Sequence, residues 1–431
     1  MYKKRLVDNE IEKLINTPVA IQLVGPKWCG KTTTAKHYSK SFIDLQDADK
    51  ALDYKRLAEG NIKLLLEGEK PRLIDEWQEI KQIWNAVRRE VDQSNTSKLE
   101  YFLTGSVIPP SIEGLHTGIG RIISLKMKPM SLYESGESNG LISLKSLIEP
   151  NIHLSGKSNL TYSDYAYLAC RGGWPRTIDL PRDSALIISK AYVKELCERD
   201  ISSYDGVKRN SLLASNILKA YARQVSTIGT DKTLFNDVRR LHGEVSDNTI
   251  RNYLDVFKSL FVIDEVPAWN PNIRSKTAIT ASTKKTLIDP SIAAASLNCS
   301  PKELQLDPET FGLLFENLCT RDISCYVENN GGNIMHYRDR YGVECDTIVK
   351  FSDGNYGLVQ AKLGSSKIDE AIETMKTIYK LIQKNKNDNP EDKTLSLPSF
   401  MLVITGAEYA YNVADKEFNN IYVVPLGCLK P

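Results

Sequence analysis

Apolar residues recur with two different periods along the chain, and the changes of period mark its predicted elements. Over 3–15 they follow helical spacing, and a β-branched run from Val19 to Val24 then predicts a buried strand. Further short apolar runs occur in SFIDLQDAD, in KPRLID and over 99–106, with a helical stretch from Trp77 to Val91 between the last two. Strands that alternate with helices predict an open α/β sheet in this part.

The middle of the chain has the helical period. A glycine pair ends one predicted helix at 172–173, and the stretch 184–200 predicts another. The stretch 211–262 predicts a helix, a tight turn, a longer helix capped by Ser246 or Asp247, and a strand. This order is typical of a winged helix-turn-helix. The longer helix has one apolar stripe, formed by Ile250, Tyr253, Leu254, Phe257, Leu260 and Phe261.

The carboxyl-terminal part combines both periods. The pattern predicts, in order, helix 308–325, strands 333–338, 345–351 and 356–361, helix 366–386, strand 400–405 and a last strand in IYVVP. Asp353-Gly354 with Asn355 predicts a hairpin turn between the second and third strands. We therefore expect an α/β domain over 1–150, a helical region over 151–300 and a second α/β domain over 301–431.

Composition changes this picture little. The 431 residues carry 56 basic and 54 acidic side chains, a net charge of +2, so a nucleic-acid surface must be a local patch. The eight cysteines include no C-x-x-C pair and do not cluster with the five histidines, which favours free thiols in a reducing cytosol over a structural zinc site. Without a signal peptide or a run of about 20 apolar residues, we expect a cytoplasmic protein with no membrane span.

The strand that ends at Val24 leads into the most specific motif of the chain. Residues 25–32, GPKWCGKT, match G-x-x-x-x-G-K-T and precede a helical stretch, as in a phosphate-binding P-loop. Its glycines let backbone N–H groups point at phosphate oxygens, while Lys31 reaches the β- and γ-phosphates and the Thr32 hydroxyl binds Mg²⁺. We therefore predict ATP and Mg²⁺ as ligands. The predicted nucleotide-binding residues are Gly25, Pro26, Lys27, Trp28, Cys29, Gly30, Lys31, Thr32 and Thr33.

Polar residues at the ends of other strands complete the predicted site. Asp75 and Glu76 lie at the carboxyl end of their strand, where ligands bind in open α/β sheets. Asp75 is predicted to hold Mg²⁺ through its water shell, and Glu76 to polarise the attacking water. Thr104 is predicted to face the γ-phosphate or this water, with a strand-capping role as the alternative. Arg121 is predicted to be an arginine finger, within the chain or for a neighbouring subunit, or else an ordinary ion-paired residue.

Together these segments resemble the AAA-like P-loop ATPases that carry a C-terminal domain of initially unknown function, the AAA_14/DUF4143 class. The resemblance rests on GPKWCGKTTTA, RLIDEWQEI, FLTGS and GRIISLKMKPMSLYE, and further on GGWPRTIDL and KKTLIDPSIAAASL, so it spans nearly the whole chain. It implies an ATPase core, a winged helix and a restriction-endonuclease-like domain. The P-loop interior is bulkier than is usual, and we expect Trp28 near the base or ribose.

The polar face of the predicted longer helix carries the candidate DNA contacts Arg251, Asn252 and Lys258. Such side chains suit phosphate groups when a helix enters the major groove. They are few, acidic residues share the helix, and winged helices also bind proteins. DNA and a protein partner therefore both stay open.

The element order of the carboxyl-terminal part resembles the restriction-endonuclease fold. The matching residues are Glu344 and Asp346 on one strand, Gln360 and Lys362 on the next, and Glu316 on the preceding helix. Because strand side chains alternate, each strand pair shares a face. A metal-dependent nuclease needs carboxylates for Mg²⁺ and a lysine near the attacking water. Position 360 usually holds Asp or Glu, although Mrr-type nucleases use a similar Q-x-K, so cleavage and an inactive or binding fold both stay open.

Three functions are compatible with the sequence. The first is an ATPase whose nucleotide state repositions the winged helix and the nuclease-like domain, with Glu76, Lys31, Thr104 and Arg121 as catalytic residues. The second is a metal-dependent DNA nuclease regulated by ATP. The third is an interaction module that binds ATP and hardly hydrolyses it.

Overall fold

The computed structural model describes residues 2–105, 118–270, 282–392 and 394–431. Ser106, the last residue of the predicted strand over 99–106, lies outside these ranges. Within them, no helix combines the length and the apolar character that a membrane crossing requires. All eight cysteines lie in the described ranges as free thiols, and seven of them are buried.

The amino-terminal part contains a five-stranded parallel sheet. Its strands are β1 (Ala20–Val24), β2 (Ser41–Asp44), β3 (Arg72–Asp75), β4 (Tyr101–Thr104) and β5 (Ile122–Lys126), in the spatial order β2-β3-β4-β1-β5. The register places Thr104 beside both Asp75 and Leu23, so the carboxyl ends of these strands meet at one edge of the sheet. The predicted P-loop NTPase-like α/β core is confirmed.

Helices cover both faces of this sheet. They are α1 (Val7–Leu14), α2 (Lys31–Tyr38), α3 (Ala51–Asn61), α4 (Lys63–Leu66) and α5 (Gln82–Gln93). Because side chains alternate along a strand, Leu73 packs in one apolar cluster with α1 and α2, whereas Ile74 packs in another with α5. The helix predicted from Trp77 begins as a 3₁₀ turn, Trp77–Ile80, and continues as α5.

The middle part is helical, as predicted. The short helix α6 (Leu132–Ser135) precedes this part. The part itself contains α7 (Tyr162–Arg171), α8 (Arg182–Glu195) with a following π turn (Leu196–Asp200), α9 (Ile201–Ser203), α10 (Ser211–Ala222), α11 (Asp231–His242), α12 (Asp247–Ser259) and α13 (Pro290–Ser296), and α14 (Pro301–Leu306) follows it. The Ser246 hydroxyl caps α12 by accepting from the Thr249 N–H at 3.1 Å, as the sequence suggested. Antiparallel bridges join Thr227 to Lys285, Ile263 to Leu287 and Val266 to Lys284.

The carboxyl-terminal part is a mixed seven-stranded sheet between two long helices. The helices are α15 (Pro308–Glu328) and α16 (Ile368–Asp388), and the strands are β7 (Gly156–Lys157), β8 (Asn333–Arg338), β9 (Glu344–Lys350), β10 (Tyr356–Lys362), β11 (Phe400–Thr405), β12 (Tyr409–Asn412) and β13 (Ile421–Pro425). Their order is β7-β12-β13-β11-β10-β9-β8. Val359 packs toward α15 and Leu358 toward α16, so both faces are covered. This confirms the predicted α/β class of the domain.

Two very short strands connect the region near residue 150 to the end of the chain. Strand β6 (Ile142–Ser143) pairs in parallel with β14 (Leu429–Lys430), and β7 pairs with β12. The Ser138 hydroxyl also donates to the Leu429 carbonyl at 2.6 Å. Strands of two residues have no readable period, so the sequence did not predict these pairings.

Candidate functional site

The P-loop follows β1 and leads directly into α2. Gly25 has a φ of 148° and Gly30 a φ of 103°, values that glycine adopts without the strain a side chain would add. A Cβ atom on Gly25 would lie 2.1 Å from the Met127 carbonyl oxygen, so this position has room only for glycine. Trp28 also has a left-handed φ, 67°. The loop is therefore tightly curled at the amino-terminal end of a helix, where an anion is favoured.

Three predicted residues come together beneath this loop. The buried Lys31 donates from Nζ to the Gly25 and Pro26 carbonyls, each at 2.8 Å. The Thr32 hydroxyl donates to Asp75 Oδ1 at 3.0 Å, and Asp75 is buried. A hydroxyl and a carboxylate are oxygen ligands of the kind that Mg²⁺ prefers alongside water and phosphate. The donor set thus fits a nucleotide-bound magnesium ion.

Thr104 and Glu76 both adjoin Asp75, Thr104 on the neighbouring strand and Glu76 as the next residue of the chain. Thr104 is fully buried, and its hydroxyl donates to the same Asp75 Oδ1 at 2.5 Å. The structure therefore gives Thr104 a contact with the predicted metal ligand, where the sequence had suggested the phosphate or water. Glu76 leaves the strand with a left-handed φ of 54°, and the Gln78 amide donates to its Oε2 at 2.5 Å. Gln78 was not predicted, although it lies only two residues away.

Arg121 lies far from these residues. Its carbonyl accepts from the Ala20 N–H at 2.8 Å, at the start of β1, whereas the P-loop follows the end of that strand. At about 3.3 Å per residue, β1 separates the two positions by roughly 13 Å. The Arg121 guanidinium instead pairs with Asp92 at 2.6 Å and is half exposed. This position does not fit an arginine finger for the P-loop of the same chain. Arg121 instead forms the ordinary ion pair that was the alternative prediction. An arginine finger for a neighbouring subunit stays a prediction.

Arg5 connects the P-loop to the segment after β5. This buried side chain donates from Nη1 to the Cys29 carbonyl at 2.5 Å, from Nη2 to the Lys128 carbonyl at 2.7 Å and from Nε to Glu134 at 2.9 Å. Although burial lowers the pKa of Arg5, the Glu134 carboxylate outweighs this effect and raises it. No local motif marks Arg5, because its partners are distant in sequence.

The tip of the P-loop contacts the middle part of the chain. Lys27 forms an ion pair with Asp200 at 2.6 Å, and the rings of Trp28 and Tyr192 lie 5.5 Å apart. Trp28 is 43% exposed. Both partners belong to α8 and the π turn that follows it, so this segment contacts the tip of the loop.

Lys128 joins all three parts of the chain at one point, which we call the junction. Its Nζ donates to Asp264 at 2.7 Å, Ser324 at 2.8 Å and Glu328 at 3.0 Å. Asp264 also accepts from Lys126 at 2.6 Å. Burial alone would raise the pKa of Asp264, but the two lysines outweigh it and hold that pKa below its ordinary value. The junction is therefore a charged, paired contact between the sheet, the middle part and α15.

Arg321 is the centre of a second buried polar group, which we call the Arg321 cluster. Its guanidinium donates to Asp289 at 2.9 Å and to Asp322 at 2.7 Å, and all three residues are almost completely buried. Asp289 also accepts from the Gly173 N–H, and Asp322 from the Leu132 N–H, each at 2.9 Å. The cluster brings together three segments on which the family resemblance rests, PMSLYE, GGWP and LIDPS.

The predicted nuclease-like residues lie around one cavity of about 690 Å³ in the carboxyl-terminal part. Its lining includes all five of them, Glu316, Glu344, Asp346, Gln360 and Lys362. Asp346 Oδ2 accepts from the Ala361 N–H at 2.9 Å and lies 3.4 Å from Lys362 Nζ. The Gln360 amide donates to the Glu344 carbonyl at 2.8 Å, while its buried Oε1 has no hydrogen-bond partner among the residues that the structure describes.

Lys284, which the sequence did not single out, lies among these carboxylates. Its side chain is 2% exposed, contacts the Glu316 carboxylate, and lies 3.6 Å from Asp346 Oδ1. Burial lowers the pKa of Lys284, but the two carboxylates outweigh it and raise that pKa. Burial and Asp346 raise the pKa of Glu316 to about 7 against the opposing effect of Lys284. In the described ranges, no three His, Cys, Asp or Glu side chains are grouped to hold a metal ion.

The candidate DNA contacts are exposed on α12. The Arg251 guanidinium lies 5.2 Å from the centre of the Phe235 ring, and Lys258 pairs with Glu265 at 3.0 Å. Asn252 is also exposed. All three side chains are accessible to a partner, although two of them have contacts within the chain.

Sequence comparison identifies three consecutive family matches. Residues 17–136 match an AAA domain, AAA_14; residues 162–303 match a domain of unknown function, DUF8612; and residues 311–429 match a domain of unknown function, DUF4143. No curated protein matches the sequence.

Three solved structures illustrate what the chain is similar to. The Walker-type ATPase PABY2304 of Pyrococcus abyssi is 13% identical, with 68% of this chain and 94% of that chain covered and a TM-score of 0.41. The replication initiator DnaA bound to AMPPCP and single-stranded DNA is 15% identical, with 59% of this chain and 86% of that chain covered and a TM-score of 0.27. PCH-2 of C. elegans is 18% identical, with 59% of this chain and 65% of that chain covered and a TM-score of 0.20.

Proposed function

Since the chain belongs to the AAA-like P-loop ATPases that carry a DUF4143 domain, we propose that it binds ATP with Mg²⁺ and hydrolyses it. The observation that carries this proposal is the convergence of Lys31, Thr32 and Asp75 at the P-loop, with Glu76 beside them. Glu76 distinguishes a hydrolase from a module that only binds ATP, because a carboxylate next to the metal ligand is suited to take a proton from water.

Each residue has a distinct role in this proposal. The backbone N–H groups of the loop and Lys31 bind the β- and γ-phosphates, and Thr32 and Asp75 hold the ion. Mg²⁺, when bound, neutralises charge on the phosphate oxygens. Glu76 orients and deprotonates the attacking water. Thr104 is a positioning residue, because its hydroxyl donates to the Asp75 carboxylate and the residue is fully buried.

We propose further that the nucleotide state is coupled to the middle and carboxyl-terminal parts. Arg5 binds the carbonyl of Cys29 inside the P-loop and also the carbonyl of Lys128, whose side chain forms the junction. Lys27 and Trp28 contact α8 and the π turn that follows it. A movement of the loop on hydrolysis would therefore act on two contacts with the other parts of the chain.

Replacing Lys31 with alanine tests the nucleotide site. Loss of charge-assisted hydrogen bonds to phosphate is expected to weaken ATP binding by about 10- to 100-fold. Lys36→Ala is the matched control, because Lys36 is exposed on the same helix. Equilibrium dialysis with labelled ATP and Mg²⁺ measures both. Wild-type protein that bound neither ATP nor GTP at millimolar concentration would refute the proposal.

We also propose that α10, α11 and α12 with the three bridged segments form a winged helix that binds DNA. The exposed Arg251 and Lys258 support this, and each phosphate contact contributes about −0.9 to the slope of log K against log salt concentration. Replacing both by glutamine is expected to flatten the slope by about 1.8. Fluorescence anisotropy with a duplex checks this, with Lys416→Gln, an exposed lysine elsewhere, as control. A flat wild-type curve would favour a protein partner.

A further inference from the structure

The carboxylates around the 690 Å³ cavity are paired with a lysine from another part of the chain. Lys284 lies in the segment that bridges to Val266, where the two residues exchange backbone hydrogen bonds of 2.9 and 3.0 Å. Its side chain enters the carboxyl-terminal part and places one ammonium group against Glu316 on α15 and Asp346 on β9. It also donates to the Asp346 carbonyl at 3.2 Å.

This arrangement does not fit a divalent ion. Mg²⁺ requires oxygen ligands at about 2.0–2.1 Å in octahedral geometry, and carboxylates free to supply them. Here Asp346 Oδ1 faces Lys284. Asp346 Oδ2 accepts from the Ala361 N–H and faces Lys362. Two ammonium groups close to the same carboxylate would repel a second cation. Position 360, where this fold usually has a third carboxylate, holds a neutral glutamine.

We propose that the Lys284 ammonium is the permanent cation of this cluster, in the place that a divalent metal would take in a nuclease of this fold. The ion pairs of this cluster then stabilise the contact between the middle part of the chain and the carboxyl-terminal domain. The cluster does not activate water or cleave DNA. Asp346 and the ionised form of Glu316 supply the negative charge that holds Lys284, and Lys362 lies beside Asp346 Oδ2.

Mn²⁺ binding tests this proposal, because Mn²⁺ substitutes readily for Mg²⁺ and its free form is counted by electron paramagnetic resonance. All proteins carry Asp75→Asn, so that the P-loop site does not contribute. Wild-type Lys284 is expected to prevent binding at the cluster. Lys284→Ala removes the competing charge and is expected to bind one Mn²⁺ at least about tenfold more tightly.

Lys285→Ala is the matched control. Lys285 is the next residue and equally charged, but its Nζ points to the Gly229 carbonyl and lies 4.0 Å from Asp231. It is expected to leave Mn²⁺ binding as in wild type. The double variant Lys284→Ala/Glu316→Gln is expected to lose the binding gained by Lys284→Ala, which locates the ion at the cluster.

Three results would overturn the proposal. One is Mn²⁺ bound by the wild-type cluster and lost in Glu316→Gln. The second is plasmid cleavage by wild-type protein with Mn²⁺ that disappears in Lys362→Ala. The third is a folded Lys284→Ala protein that gains no Mn²⁺.

The Lys284→Ala protein also provides a test if it does not fold without metal. Mn²⁺ is then expected to restore a cooperative unfolding transition, since a ligand of the native state stabilises that state. Failure of Mn²⁺ to restore the transition would count against the proposal.

Discussion

Glutamine at position 76 is expected to lower the turnover number for ATP by at least about 100-fold, the usual contribution of a general base. Glu76→Gln preserves the size of the side chain and its contact with Gln78, but the amide cannot accept a proton. Thr32 and Asp75 stay in place, so ATP and Mg²⁺ are expected to bind as in wild type. Steady-state kinetics and equilibrium dialysis separate the two effects.

Glu79→Gln is the matched control for this variant. Glu79 lies in the 3₁₀ turn that directly follows Glu76 but is exposed, and its carboxylate accepts from Gln46 at 3.0 Å. It is expected to leave turnover within about twofold of wild type, which corresponds to a change of about 0.4 kcal/mol in the activation free energy. Undiminished turnover in Glu76→Gln would remove Glu76 from the role of base. Wild-type protein that bound ATP but did not turn it over would instead favour the module that only binds ATP.

Methionine at position 321 is expected to destabilise the folded chain by about 3–5 kcal/mol, the cost of leaving a buried charge without its partner. Arg321→Met removes the only guanidinium between Asp289 and Asp322 among the described residues, and both carboxyl groups are completely buried. Methionine fills similar space, so the change is mainly one of charge. Urea unfolding followed by tryptophan fluorescence measures the loss, because the buried Trp174 donates to Ser291 next to Asp289.

The control for the Arg321 cluster is Arg338→Met. Arg338 is exposed at the end of β8, so its replacement is expected to change the free energy of unfolding by no more than about 0.5 kcal/mol. An Arg321→Met protein as stable as Arg338→Met would show that the two aspartates are protonated or rehydrated at little cost. The cluster would then not be a source of stability.

The sequence predicted those features that depend on neighbouring residues. The P-loop, the strand before it and the Asp75 that follows β3 are each encoded within a few positions, and β8 and β11 occupy the predicted ranges 333–338 and 400–405. Hydrophobic period and turn residues are sufficient for such elements. The nuclease-like residues also surround one cavity, because alternation along two hairpin strands determines which side chains share a face.

The sequence did not predict those features that depend on distant contacts. Arg5, Lys284 and Arg321 each bind partners on other elements, and no spacing rule identifies them. Arg121 illustrates a different point, because the sequence left both a finger role and an ordinary ion pair open. It precedes a strand, and in a parallel sheet that position lies at the edge away from the P-loop. The strand direction was therefore sufficient to argue against a finger role within the chain.

The pairing of Leu429 with Ile142 has a consequence for synthesis on the ribosome. The five strands of the first sheet are complete once residue 126 has been made, so this sheet is able to form early. Strand β6, only sixteen positions later, pairs with residues 429–430, which are made long afterwards. A nascent chain that pauses before residue 429 would therefore expose this segment to chaperones, even though the sheet before it had already folded.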